Sequence, residues 1–101
     1  MKLLTDELRA RLPPLYSQEA EAEPVVHAKF FLGSWTWYVT EGSPQGDDFL
    51  FFGFVVGFES EFGYFLLSEL ESVTNQLGLH VERDLHFQPG KLTDVVPAPD
   101  D

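Results

Sequence analysis

His80, Glu82, Asp84 and His86 recur at every second position, and all four are of metal-ligating type. On an extended strand that spacing puts them on one side with neighbours about 6.6–6.8 Å apart, so two can share a metal but four in a row cannot. A site would need a ligand from another strand, and His27, the only other histidine, is not placed nearby by anything in the sequence. A metal-binding or enzymatic domain built on the His80 to His86 strand therefore stands as an alternative reading, and no residue is assigned as a metal ligand. Nucleophilic chemistry has less to draw on. Cysteine is absent, which excludes disulfides, thiolate nucleophiles and Cys-ligated zinc or iron–sulfur centres. None of Ser17, Ser34, Ser43, Ser60, Ser68 and Ser72 sits in a GxSxG elbow. The runs GFVVG and GSPQG match neither a Walker loop nor a dinucleotide fingerprint. Carboxylate pairs are too abundant for any one of them to mark an acid–base couple. No catalytic residue and no cofactor is expected.

Charge is more informative. The 101 residues carry 17 Asp and Glu against 6 Lys and Arg, a net charge of −11, which disfavours direct contact with nucleic acid or an anionic membrane. Residues 30 to 82 contain no Lys or Arg but hold Glu41, Asp47, Asp48, Glu59, Glu61, Glu69, Glu71 and Glu82. If the strand ends carrying Asp47, Asp48, Glu59 and Glu61 converge, their carboxylates would stand in for the phosphates of a nucleic acid and engage a basic nucleic-acid-handling protein. Glu41, Asp47, Asp48, Glu59 and Glu61 are the candidate partner-binding residues. The competing explanation is a solvated acidic surface that keeps the domain soluble, with Glu69 and Glu71 serving the first turn of a helix.

Aromatic residues make up 15% of the chain. Trp35, Trp37 and Tyr38 with Phe30, Phe31, Phe51 and Phe52 would put aromatic rings on both faces of a sheet. Two short helices cannot cover both faces of five strands, so one aromatic face left open would suit a structural or self-associating role, with a homo-oligomer as its outcome.

The elements that must position these residues follow from local pattern. Thr5 as N-cap, Asp6 and Glu7 in the first turn and Leu4, Leu8 and Leu12 as an apolar stripe predict a short helix that ends at Pro13–Pro14. Ser17 to Pro24 reads as an exposed connection. Val25 to Leu32 and Trp35 to Glu41 form a hairpin about Gly33–Ser34, Gly42 to Asp48 a polar loop, and Phe49 to Phe58 a central strand paired with Phe62 to Leu67. Ser68 and Glu71 form a capping box for a helix that ends at Gly78 and buries Leu70, Val73 and Leu77. Leu79 to Phe87 alternate as a fifth strand, and a polar, Pro-rich tail follows from Pro89. The order helix, four strands, helix, strand describes an α+β domain: a mostly antiparallel five-stranded sheet with helices packed on one face.

Three segments, LTDELRARLPPLYSQE, SWTWYVTEG with FFGFVVGFESEFGYFLLSELE, and GLHVERDLHFQPGKL, resemble the bacterial family of small single-domain proteins DUF2958. Phe62 departs from the smaller aliphatic residue more usual in that pattern. The resemblance implies a single domain and a setting on plasmids and other mobile elements beside antirestriction-type proteins, and it brings no catalytic residues. One domain over residues 1–94 with a flexible tail over 95–101 is expected. Without a signal-peptide h-region or an apolar run long enough to span a bilayer, a cytoplasmic protein is expected.

Overall fold

The first helix, α1 (Asp6–Arg11), starts where Thr5 Oγ1 accepts the Leu8 N–H at 3.2 Å, and it carries acids in its first turn and arginines in its last. Leu4, Leu8 and Leu12 are all buried, as their spacing requires. The computed structural model describes residues 1–97; residues 98–101, the end of the expected tail, lie outside the described residues.

After the Pro13–Pro14 pair the chain turns through residues 15–24 and enters two short strands, β1 (Val25–Val26) and β2 (Ala28–Leu32). The single strand expected over Val25 to Leu32 is thus divided at His27, whose N–H donates to Val39 O at 2.8 Å. Strand β3 (Trp35–Gln45) and strand β4 (Asp48–Val56) follow, then β5 (Ser60–Leu66), helix α2 (Leu67–Ser72), β6 (Glu82–Arg83), β7 (Gly90–Lys91) and helix α3 (Leu92–Val95). The main sheet has the order β5-β4-β3-β2-β6 with every pair antiparallel, so the meander of four strands is present. β1 and β7 form a separate two-stranded ribbon.

The expected polar loop from Gly42 to Asp48 is instead the end of a long hairpin: β3 runs to Gln45 and turns through Gly46, at φ +58°. Pro44 is tolerated there because alternate N–H groups of a strand point to the same side. On that side Gly42 donates to Pro13 O rather than to a strand, so the donor that Pro44 lacks has no ladder to serve.

The second helix is shorter than its pattern suggests. Its capping frame lies two residues earlier, with the Glu69 carboxylate accepting the Leu66 N–H at 2.8 Å, in place of Ser68 with Glu71. After Ser72 the chain leaves the helix: Thr74 bridges to His80, and Asn75 Oδ1 accepts the Leu77 and Leu79 N–H groups. Leu70 is buried, but Val73 and Leu77 are exposed, which corrects the expected stripe. The fifth strand likewise shrinks to Glu82–Arg83, and the region from Pro89 contributes β7 and α3 rather than only a tail.

The core lies against one face of the sheet. Ala28, Phe30, Trp37, Val39, Phe49, Phe51 and Phe65 share a single buried cluster with Leu8 of α1 and Leu70 of α2. The opposite, outer face of β4 and β5 shows Phe52 across from Tyr64 and Phe54 across from Phe62.

Candidate functional site

A bulge at Thr40 decides what the outer face holds. Trp37 and Val39 point to the core, and an unbroken alternation would send Glu41 there too. The register shift between Val39 and Glu41 instead pairs Glu41 with Phe52, placing its side chain on the outer face. The same shift turns Gly42 inward, where a Cβ would lie 2.4 Å from the Phe49 ring, so only glycine fits.

Glu41 is only 4% exposed, and its carboxylate ties down the segment that crosses this face. Its Oε1 accepts the Tyr16 N–H at 2.9 Å and its Oε2 the Gln18 N–H at 2.7 Å. The Gln18 amide donates to Val25 O and Thr40 O and accepts from the Val25 N–H. Residues 16–24 thereby become a strap fixed above the sheet rather than a free connection, with Tyr16 held at φ +73°, a left-handed conformation that costs a non-glycine residue free energy.

Between strap and sheet lies a cleft of about 460 Å³ floored by Thr40, Phe52, Phe62 and Tyr64. Glu19, Glu21, Glu23 and Glu41 line it, and Lys, Arg and His do not, among the described residues. The rings are tightly associated: Phe52 stacks on Phe62 at 5.8 Å and lies 4.8 Å from Tyr64, which faces Tyr16 at 6.4 Å. Phe62 and Tyr64 remain about half exposed, at 48% and 51%. Partial desolvation, a hydrogen bond with Tyr16, the cost of ionising beside that second phenol and the negative charges of Glu41 and Glu19 hold the Tyr64 phenol above its ordinary pKa. Phe62 thus lies in the cleft.

The other candidate partner residues do not converge. Asp47 and Asp48 sit at the β3–β4 turn and Glu59 and Glu61 at the β4–β5 turn, and nine residues of β4 put these ends about 26 Å apart. Glu61 pairs with Val55 and so lies on the core side of the sheet, away from Phe52 and Tyr64. Asp48 is occupied: its carboxylate accepts the Phe49 N–H at 2.8 Å, the Ser68 N–H at 3.1 Å and the Ser68 hydroxyl, joining β4 to the start of α2. The bonds from the Ser68 hydroxyl and the Phe49 N–H hold its pKa below the usual carboxylate value. Asp47 and Glu59 are exposed.

The His80 to His86 row is not a ligand face, because its strand is not formed along its length. Glu82 alone of the four lies within β6, and His80 is in the isolated bridge to Thr74. Asp84 pairs with Lys29 at 3.6 Å and accepts the His86 N–H at 2.9 Å. Among the described residues no three His, Cys, Asp or Glu side chains are grouped to hold a metal. His27 lines a second cavity of about 340 Å³ with Arg11, Arg83, Glu7 and Asp84; burial and then the Arg11 charge lower its pKa. That cavity mixes both signs of charge. No helix among the described residues is long and apolar enough to cross a membrane.

Sequence reasoning singled out Glu41 but missed Glu19, Glu21, Glu23, Tyr16, Phe62 and Tyr64 as its neighbours. The one available signal was the run of alternating Glu residues beside a Tyr in an otherwise featureless connection. Compared with known proteins, residues 3–96 match the family model described as "Protein of unknown function (DUF2958)". No curated protein and no solved structure matches the chain.

Proposed function

The chain belongs to the DUF2958 family, and we propose that it is a non-catalytic interaction domain that docks a basic, nucleic-acid-handling protein, of the kind restriction or CRISPR systems supply. The observation that carries this reading is the outer face of the sheet, where half-exposed Phe62 and Tyr64 lie beside a cleft rimmed by carboxylates. Exposed aromatics with unopposed charge of one sign suit a partner that offers apolar surface and the opposite charge. A net charge of −11 adds long-range attraction to such a partner, and the mobile-element setting implied by the family resemblance supplies a reason to meet one. The separation of the two β4 ends shifts the weight from the hairpin acids to the outer face: Asp47 and Glu59 act as flanking charges and Glu41 lies inside the cleft.

The test is a titration of isotope-labelled protein with an arginine-rich protamine peptide at low and raised salt. Amide shifts should centre on Phe52, Phe62 and Tyr64, and affinity should fall about tenfold or more as salt screens the contact. A Phe62→Ser, Tyr64→Ser double variant should bind more weakly while keeping its fold, because both side chains are already half exposed. Absence of binding at low salt sinks the proposal. So do shifts confined to the two β4 turns, or a concentration-dependent dimer mass that disappears in the double variant, which would make this face a self-association surface.

A further inference from the structure

We infer that the cleft beneath the strap receives an arginine side chain of the basic partner, its guanidinium set against the Tyr64 and Phe62 rings and facing the carboxylates of Glu19, Glu21 and Glu41. This rests on the interaction reading above and adds to it which residue type is read and where.

Glu41 carries a charge that no neighbouring cation balances. The residue is only 4% exposed, yet the two hydrogen-bond partners of its carboxylate are neutral backbone N–H groups. The ion pair found among the described residues, Lys29 with Asp84, belongs to another part of the sheet. A buried anion without a cation is costly to hold, and a cation entering the cleft recovers Coulombic energy that the free protein does without. Glu19 and Glu21 stand exposed at the rim, where they would meet an incoming cation before it reaches Glu41.

The aromatic walls narrow the choice of cation. Phe52, Phe62, Tyr64 and Tyr16 present ring faces and edges to the same space, and a cation near such faces gains from the ring quadrupole. Lysine offers a compact, strongly hydrated point charge. Arginine offers a weakly hydrated plane that stacks on a ring while its fork of donors reaches a carboxylate. A cleft with both flat apolar walls and carboxylates therefore fits guanidinium better than ammonium. Glu19, Glu21, Glu23 and Glu41 together disfavour anionic ligands.

The test uses the full chain and three small probes followed by amide chemical shifts: Nα-acetyl-arginine amide, its lysine counterpart and its uncharged citrulline counterpart. The arginine probe should move Gln18, Glu41 and Tyr64 saturably, with citrulline bound about tenfold more weakly or worse. A Glu19→Gln, Glu21→Gln double variant should weaken arginine binding several-fold with no change in the urea midpoint, since both residues are exposed. Tyr64→Leu should do the same. No saturable shift, equal binding of citrulline, or equal binding of lysine overturns the inference. If the arginine-rich peptide still docks on the outer face in a salt-sensitive way while the rim variants leave it unchanged, the pocket is wrong and the interaction reading stands. Failure of that reading is seen in the peptide titration itself, which needs no free arginine.

Discussion

Glu41 is a position where one carboxylate holds three parts of the chain together: β3, the Tyr16 turn and, through Gln18, the start of β1. Glu41→Gln keeps an acceptor but turns an NH₂ donor toward one of the two backbone N–H groups. That exchange should lower stability by about 1–3 kcal/mol, read from urea denaturation. A change well below that would mean the strap is held by Gln18 alone. The role of Glu41 was half legible in the sequence. Its acidic type in a base-free segment marked it for binding, but its burial depends on the bulge at Thr40. A bulge is set by pairing with Gly53 and Phe52, residues more than ten positions away, and no period-two reading of Trp35, Trp37 and Val39 contains it. Tyr16 was still less visible, since its backbone conformation is imposed by a partner in β3.

Among the elements, those built from local signals match their patterns. Thr5, the acids after it and the leucines at 4, 8 and 12 define α1, and the alternation in Trp35 to Val39 defines the first part of β3. α2 departs because its N-terminal N–H and hydroxyl groups at Ser68 are met by Asp48, a long-range partner that frees the capping frame to start at Leu66. Its early end has an equally physical origin, in the Asn75 side chain that captures two following N–H groups in a turn. Two substitutions separate the observed helix from the longer one. Leu70→Ala should cost about 2–5 kcal/mol as a core truncation. Leu77→Ser, at a residue 82% exposed, should stay within about 0.5 kcal/mol. Comparable losses at both positions, measured by chemical denaturation, would restore the longer helix with its buried stripe.

For the molecule as a whole, composition supported one acidic domain and local pattern an α+β fold, and the antiparallel sheet with short helices agrees with the latter. Neither revealed how the acids are distributed, because the distance between two turns depends on strand length and register. The sheet also ends in an open side: β5 has β4 on one flank and no strand beyond it among the described residues. The outward-facing backbone groups of this seven-residue strand, with Phe62 and Tyr64 half exposed, form an edge of the kind that other copies can extend. Mutual repulsion at a net charge of −11 opposes such pairing near neutral pH and fades as the carboxylates take up protons toward the pI of about 4.4. Turbidity should therefore rise steeply on approach to that pH and be reduced by Tyr64→Lys, a charge placed on the edge itself. A clear solution through the pI would show that the edge is already protected. The acidity of this chain thus has a colloidal role as well: the same carboxylates that attract opposite charge keep β5 from templating filaments of its own kind.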